Sequence, residues 1–152
     1  MRILVIDDYQ PHGESLSELL ESRGHEAFYA PSYDAAEWVL NLRPFDVAFL
    51  DFDMPRLKGT VVARKLRERF PGLRPVILSA CLSEALRQAT EEDMLFLAKP
   101  VSLEAVLDCL ARFERERAGS ALTLRALYAL TRYERVPPGV PVDTRNESSS
   151  RV

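Results

Sequence analysis

In this 152-residue chain, acidic residues, a serine and a lysine sit at or just past the ends of apolar runs. Asp7 and Asp8 close RILVI (2–6), Asp51 closes DVAFLD (46–51) with Asp53 two residues on, Ser79 lies in RPVILSA (74–80), and Lys99 follows MLFLA (94–98). A carboxylate at the end of a buried run is costly unless its charge is used. Three of them within a few ångströms repel by several kcal/mol at an effective dielectric of about 20. A divalent cation relieves that repulsion, and an all-oxygen donor set selects Mg²⁺ or Mn²⁺ over softer metals. Lys99 offers a compact cation and Ser79 a hydroxyl, both suited to phosphoryl oxygens. A carboxylate that attacks phosphorus gives an acyl phosphate. The set therefore describes a metal-assisted phosphoryl acceptor, provided the fold brings the residues together.

The elements between them alternate. The run 2–6 has the form of a strand buried on both faces. ESLSELLESRG follows with Leu16, Leu19 and Leu20 at helical spacing and Gly24 as a stop. HEAFYA is a second strand, and SYDAAEWVLNL a helix capped by Ser32. DVAFLD is the third strand, GTVVARKLRERF the third helix, RPVILSA the fourth strand, LSEALRQAT a short fourth helix and MLFLA the fifth strand. SLEAVLDCLARFERER is a fifth helix, capped by Ser102. Five strands alternating with five helices predict a three-layer α/β sandwich, a (βα)5 arrangement around a five-stranded parallel sheet. Ligands in such sheets bind at the carboxyl ends of the strands, which is where Asp7, Asp8, Asp51, Ser79 and Lys99 fall.

The pieces VIDD (5–8), LDFDMP (50–55) with Gly59 beyond it, LSA (78–80) and LFLAKP (95–100) match, in order and spacing, the receiver domain of bacterial two-component response regulators. The sequence resembles that family over residues 1–117, and the resemblance implies a flavodoxin-like fold. It further implies that Asp51 is the phosphorylated aspartate. Asp8 and Asp51 would bind Mg²⁺ directly, with Asp7 assisting through water and the backbone carbonyl of Asp53 as a further ligand. Lys99 would hold the phosphoryl group, Ser79 would turn toward it, and Phe96 would be the aromatic switch residue. The phosphoryl group would come from a sensor histidine kinase or phosphotransfer protein, since the chain has no ATP-binding motif and nothing marks His12 or His25 as donors. The output is a protein-interaction surface toward a target that the sequence does not name. The alternative is a receiver-fold docking module that works without phosphorylation.

Single residues have plainer readings: a strand-end Asp caps the next helix, and Phe96 alone is a core residue. Asp51-x-Asp53 is also similar to the DxDx[TV] motif of haloacid-dehalogenase-type phosphatases. Pro55 at the Thr/Val position, the placement on the third strand and the short chain oppose that reading. Two departures from the receiver pattern bear on mechanism. The segment before the fifth strand, QATEEDMLF, has no Gly where family members commonly do, and Asp53 adds a carboxylate near the site. That carboxylate either strengthens metal binding or hinders an anionic phosphodonor.

With 47% apolar and 28% charged residues the composition is that of a soluble globular protein. Residues 1–117 hold 20 acidic and 15 basic side chains, and residues 118–152 hold 3 and 5, so nothing points to nucleic acid or an anionic membrane. Apolar runs are too short to span a bilayer, and MRILVIDD is no secretion signal. Cys81 and Cys109 lack metal or CxxC spacing, Cys109 on an apolar helix face; a reducing, cytoplasmic compartment fits. Beyond the receiver, 118–136 reads as a helical extension. Leu122, Ala126, Ala129, Tyr133 and Val136 form one stripe over 120–136, too apolar to stand alone, which either packs back on the domain or serves as a partner surface, as in a homodimer. Residues 137–152 read as a disordered tail or the start of a linker. The whole is expected to be a stand-alone receiver or one cut from a longer regulator.

Overall fold

The structure, a computed structural model, describes residues 1–133 except residue 92, and their side chains except those of residues 82, 86 and 124–133. Ten elements alternate: β1 (Arg2–Ile6), α1 (Gln10–Glu21), β2 (Glu26–Ala30), α2 (Tyr33–Leu42), β3 (Val47–Asp51), α3 (Gly59–Arg69), β4 (Arg74–Ser79), α4 (Leu82–Glu91), β5 (Leu95–Ala98) and α5 (Leu103–Tyr133). The strands form one parallel sheet in the order β2-β1-β3-β4-β5. The chain steps outward from β1 to β2 and then returns to the far side of β1. The crevice where the order reverses lies between β1 and β3.

Both faces of the sheet are buried, which is why its strands read as unbroken apolar runs rather than as alternations. On one face Leu4, Ile6, Ala48, Leu50 and Ile77 join Ala36 and Leu40 of α2, Val62, Ala63 and Leu66 of α3, and Ala85 and Ala89 of α4 in one cluster. The residues between them, Ile3, Val5, Val47, Phe49 and Val76, are buried on the other face. The register sets the site: Ile6 stands opposite Leu50, Asp51 opposite Leu78, and Ser79 opposite Ala98. Asp51 and Ser79 end β3 and β4, and continuing β1 and β5 by one residue brings Asp7 and Lys99 to the same edge.

Helix ends follow local chemistry. Ser32 accepts a hydrogen bond from the Ala35 amide at 3.2 Å and Ser102 one from the Ala105 amide at 3.1 Å, as expected of N-caps. At the end of α1, Gly24 adopts φ +82°, and the His25 and Gly24 amides return to the Leu20 and Glu21 carbonyls. The end of α4 has the same closure without a glycine. Asp93 takes φ 50° while the Met94 and Asp93 amides reach the Ala89 and Thr90 carbonyls. The segment that lacks the family's glycine thus makes the glycine turn with an aspartate.

The C-terminal helix is present, but not as a separate element. The stretch expected at 120–136 continues α5 without a break through Tyr133, and residues 114–123 are exposed. Residues 134–136 and the tail at 137–152 lie outside the described residues. By compactness the chain divides at Val106, with Met1–Val106 as one unit and the helix from Leu107 belonging to the other. Cys109 is buried, which pushes its thiol up to about 11, and Cys81 is exposed. Among the described residues no helix is long and apolar enough to cross a membrane.

Candidate functional site

Lys99 is the centre of the site. Its backbone amide is tied to the Ser79 carbonyl, continuing the β4–β5 ladder, and the Lys99-Pro100 peptide is cis. From there its ammonium donates to Asp7 Oδ2 at 2.9 Å and Asp51 Oδ1 at 2.7 Å. Both carboxylates are buried, and Lys99 is only partly exposed. Oxygens of Asp7, Asp8 and Asp51 all lie within 4.8 Å of one another. One ammonium therefore faces three carboxylates.

The three are held differently. Asp7 Oδ1 takes the Tyr9 amide at 3.0 Å just before α1, and the Asp7 carbonyl accepts from the Tyr29 hydroxyl at 2.9 Å. Both carboxylate oxygens of Asp7 are thus engaged, one of them in a local turn at the entry to α1, which has no side-chain cap. Asp8 is exposed, and its carboxylate has no hydrogen bond or ion pair among the described residues. Asp51 ends β3, where the Phe52 amide bonds the Leu78 carbonyl and the Gly59 amide bonds the Phe52 carbonyl. A Cβ on Gly59 would land on the Asp51 carbonyl oxygen and within 2.9 Å of Phe52 Cα. Only glycine lets α3 start this close to the strand end.

Burial pushes the Asp51 carboxyl up, against the pull of Lys99, and the charges of Asp7 and Asp8 push it further. Burial alone would lower Lys99, but its hydrogen bonds to Asp51 and Asp7 outweigh that and hold the ammonium above its usual range. The site is short of positive charge. Three converging carboxylate oxygens, one set unpartnered, form a hard donor set that fits a Mg²⁺ ion.

The remaining expected residues are found at the same edge, with two qualifications. Ser79 is fully buried, and its hydroxyl accepts from the Cys81 amide at 3.0 Å, so it is engaged with the β4–α4 loop rather than with Asp51. Phe96 stands on β5 opposite Ile77, half-buried against the core cluster. Asp53 is exposed, and its carboxylate is outside the acidic cluster: it pairs with Lys58 at 2.8 Å. Sequence reasoning passed over Lys58, whose only signal is a cation five residues after Asp53 at the entry to α3. It also passed over Tyr29, which braces the Asp7 backbone and lies against Gly13, where a Cβ would collide with its ring. A cleft of about 560 Å³ opens beside Asp8 between the β2–α2 and β3–α3 loops, walled by Tyr33, Met54, Leu57 and Val62. Asp51, Ser79 and Lys99 do not line it.

Comparison with known proteins identifies the family. The model of the response regulator receiver domain matches residues 3–111. The response regulator protein FleR of Pseudomonas aeruginosa is 32% identical over 117 residues, covering 73% of this chain and 24% of its own length. The sensor protein TorS of Escherichia coli is 32% identical over 118 residues, covering 74% and 13%. The chain thus spans a quarter or less of these two relatives. Among solved structures, a response regulator receiver domain protein from Clostridium thermocellum superposes with a TM-score of 0.70 at 26% identity, over 77% of this chain and 96% of that one. On fold, site and sequence together, the chain belongs to the response regulator receiver domain family of two-component systems.

Proposed function

We propose that Asp51 accepts a phosphoryl group from a sensor histidine kinase or phosphotransfer protein, in a Mg²⁺-dependent transfer that switches a protein-interaction surface. Receiver domains are signalling phosphoacceptors that work with such donors; the residue roles, the donor and the output of this chain are the proposal. The observation that carries it is the Lys99 ammonium shared by Asp7 and Asp51, with the unpartnered Asp8 beside them. A docking module has no use for such a costly cluster.

In this reading Lys99 holds one oxygen of Asp51 and leaves the other to attack phosphorus in line. The donor's P–N bond breaks, and its electron pair returns to the imidazole nitrogen. Asp8 and Asp51 would hold a Mg²⁺ ion directly, with Asp7 and the backbone carbonyl of Asp53 assisting, and the ion would supply positive charge for the approach of an anionic phosphoryl group. Lys99 then faces the new phosphoryl oxygens, and Ser79 leaves the Cys81 backbone to donate to them. About −1.5 to −2 charges appear at the edge of β3. The β4–α4 segment and Phe96 on β5 repack, biasing two conformations a few kcal/mol apart. A cytoplasmic location belongs to this reading, as does a second copy of the chain as partner along 120–136.

The test is intact mass after incubation with acetyl phosphate and Mg²⁺. One phosphoryl adduct is expected, absent in Asp51→Asn and absent without Mg²⁺. An adduct that survives Asp51→Asn would overturn the assignment. No adduct from acetyl phosphate or from any kinase would favour the phosphorylation-independent docking module.

A further inference from the structure

Asp53 raises a difficulty that the structure itself answers. A further carboxylate two residues past Asp51, even outside the acidic cluster, adds negative charge that dianionic donors must approach. In the fold it is not alone, because the Lys58 ammonium sits 2.8 Å from its Oδ1. The same ammonium stands 4.7 Å from the centroid of the Phe52 ring, the residue between Asp51 and Asp53. Phe52 is fully buried, so the surface Lys58 rests on is fixed. Its backbone is fixed too: the Lys58 carbonyl accepts the Val61 and Val62 amides, and Gly59 is wedged against Asp51. Lys58 is the N-cap of α3 through its backbone alone, and its ammonium, a donor only, takes no part in that cap.

Both partners are about half exposed, and such a pair adds little to stability. Its consequence is electrostatic. With Asp53 paired, the mouth presents one compensated pair rather than a free carboxylate. We infer that Lys58 is a positioning residue of the phosphoryl site, holding and neutralising Asp53 so that anionic phosphodonors can reach Asp51. The inference rests on the phosphoacceptor reading above and adds a determinant of donor selection to it. Lys58 acts through Asp53, and the effect is screened by salt over a Debye length of about 10 Å at 0.1 M.

The experiment measures initial rates of adduct formation from acetyl phosphate at saturating Mg²⁺, in low salt and in about 0.5 M salt. The proteins compared are the full chain, Lys58→Gln, Lys58→Arg, Asp53→Asn and Asp53→Asn/Lys58→Gln, each checked for an unchanged urea midpoint. At low salt Lys58→Gln should be slower by about threefold or more, and the gap should close in high salt. Lys58→Arg should keep the wild-type rate, Asp53→Asn should equal or exceed it, and the double variant should regain it. A Lys58→Gln rate equal to wild type at low salt overturns the inference. So does a double variant as slow as Lys58→Gln, which would mean that Lys58 does not act through Asp53. If Lys58→Gln lost its fold, a slowed Asp53→Asn would overturn it alone. Each of these leaves the acceptor reading standing, whereas a wild-type chain that forms no Asp51 adduct from acetyl phosphate or from any kinase removes both.

Discussion

At the scale of residues the site is a local conflict of charge that function requires and folding has to tolerate. The Asp51 carboxyl is pushed up by burial and by Asp7 and Asp8 even with Lys99 against it. Its folded form therefore holds a proton more tightly than its unfolded form. As pH rises from the usual carboxylate range near 4 through the folded value, the unfolded state ionises first and stability is lost; above that window the loss is constant. Asp51→Asn keeps an acceptor for Lys99 and removes one of the mutually repelling charges. It is expected to be more stable than wild type at pH 7 by about 0.5–2 kcal/mol in urea denaturation with EDTA. The gap should shrink toward pH 4, and a destabilised Asp51→Asn at pH 7 would show that the Lys99 contact outweighs the repulsion. Much of this was legible in the sequence, because Asp7, Asp8, Asp51, Ser79 and Lys99 each close an apolar run. The Lys58–Asp53 pair was not, since an exposed pair five residues apart across a loop depends on how the loop folds. Nor was the Ser79 hydroxyl's bond to Cys81, which depends on the path of the β4–α4 loop.

At the scale of elements, backbone approach decides the geometry. α3 begins against the end of β3, so the methyl of Gly59→Ala meets backbone that cannot rotate away. A better helix former would gain up to about 1 kcal/mol in an open helix; here overpacking should reverse the sign and cost about 1–3 kcal/mol. The same displacement moves Asp51 away from Lys99, so the adduct rate should fall along with the urea midpoint. An unchanged midpoint would mean that the α3 start yields. At the other end of the sheet the sign inverts. Asp93 occupies a left-handed position that L-residues adopt at a cost of roughly 1 kcal/mol, so Asp93→Gly should stabilise by a little under that. Because the αL closure of α4 already exists, Asp93→Gly should leave the adduct rate alone. A loss of stability would reveal a contact of the Asp93 side chain that matters more than its φ. The sequence showed that a glycine was missing there but not that the turn survives without one, because a Schellman closure is made by backbone groups. The strands were read almost to the residue, since a sheet buried on both faces leaves continuous apolar runs. The division between the fifth helix and its extension was not, because Arg117 to Ser120 carries no helix-stopping proline.

At the scale of the whole chain the open matter is what the long α5 meets. Its 31 residues span about 46 Å at 1.5 Å per residue, and residues 114–123 are exposed. Past them the sequence repeats apolar residues in alternating steps of four and three from Leu122 to Val136, the spacing of a seam between two helices. A segment of 17 residues supplies little more than two heptads of such a seam. A homodimer built on so short a seam is expected to be weaker than stable interfaces of roughly 1,200–2,000 Å². Sedimentation of the full chain from about 5 to 100 µM should therefore show mass rising with concentration. Leu122 is 66% exposed, so Leu122→Glu should abolish that rise while leaving the urea midpoint and the Asp51 adduct unchanged. A full chain that stays monomeric at 100 µM would remove the second copy as partner and leave the stripe to a different protein. A rise that persists in Leu122→Glu would put the contact on another face of the domain.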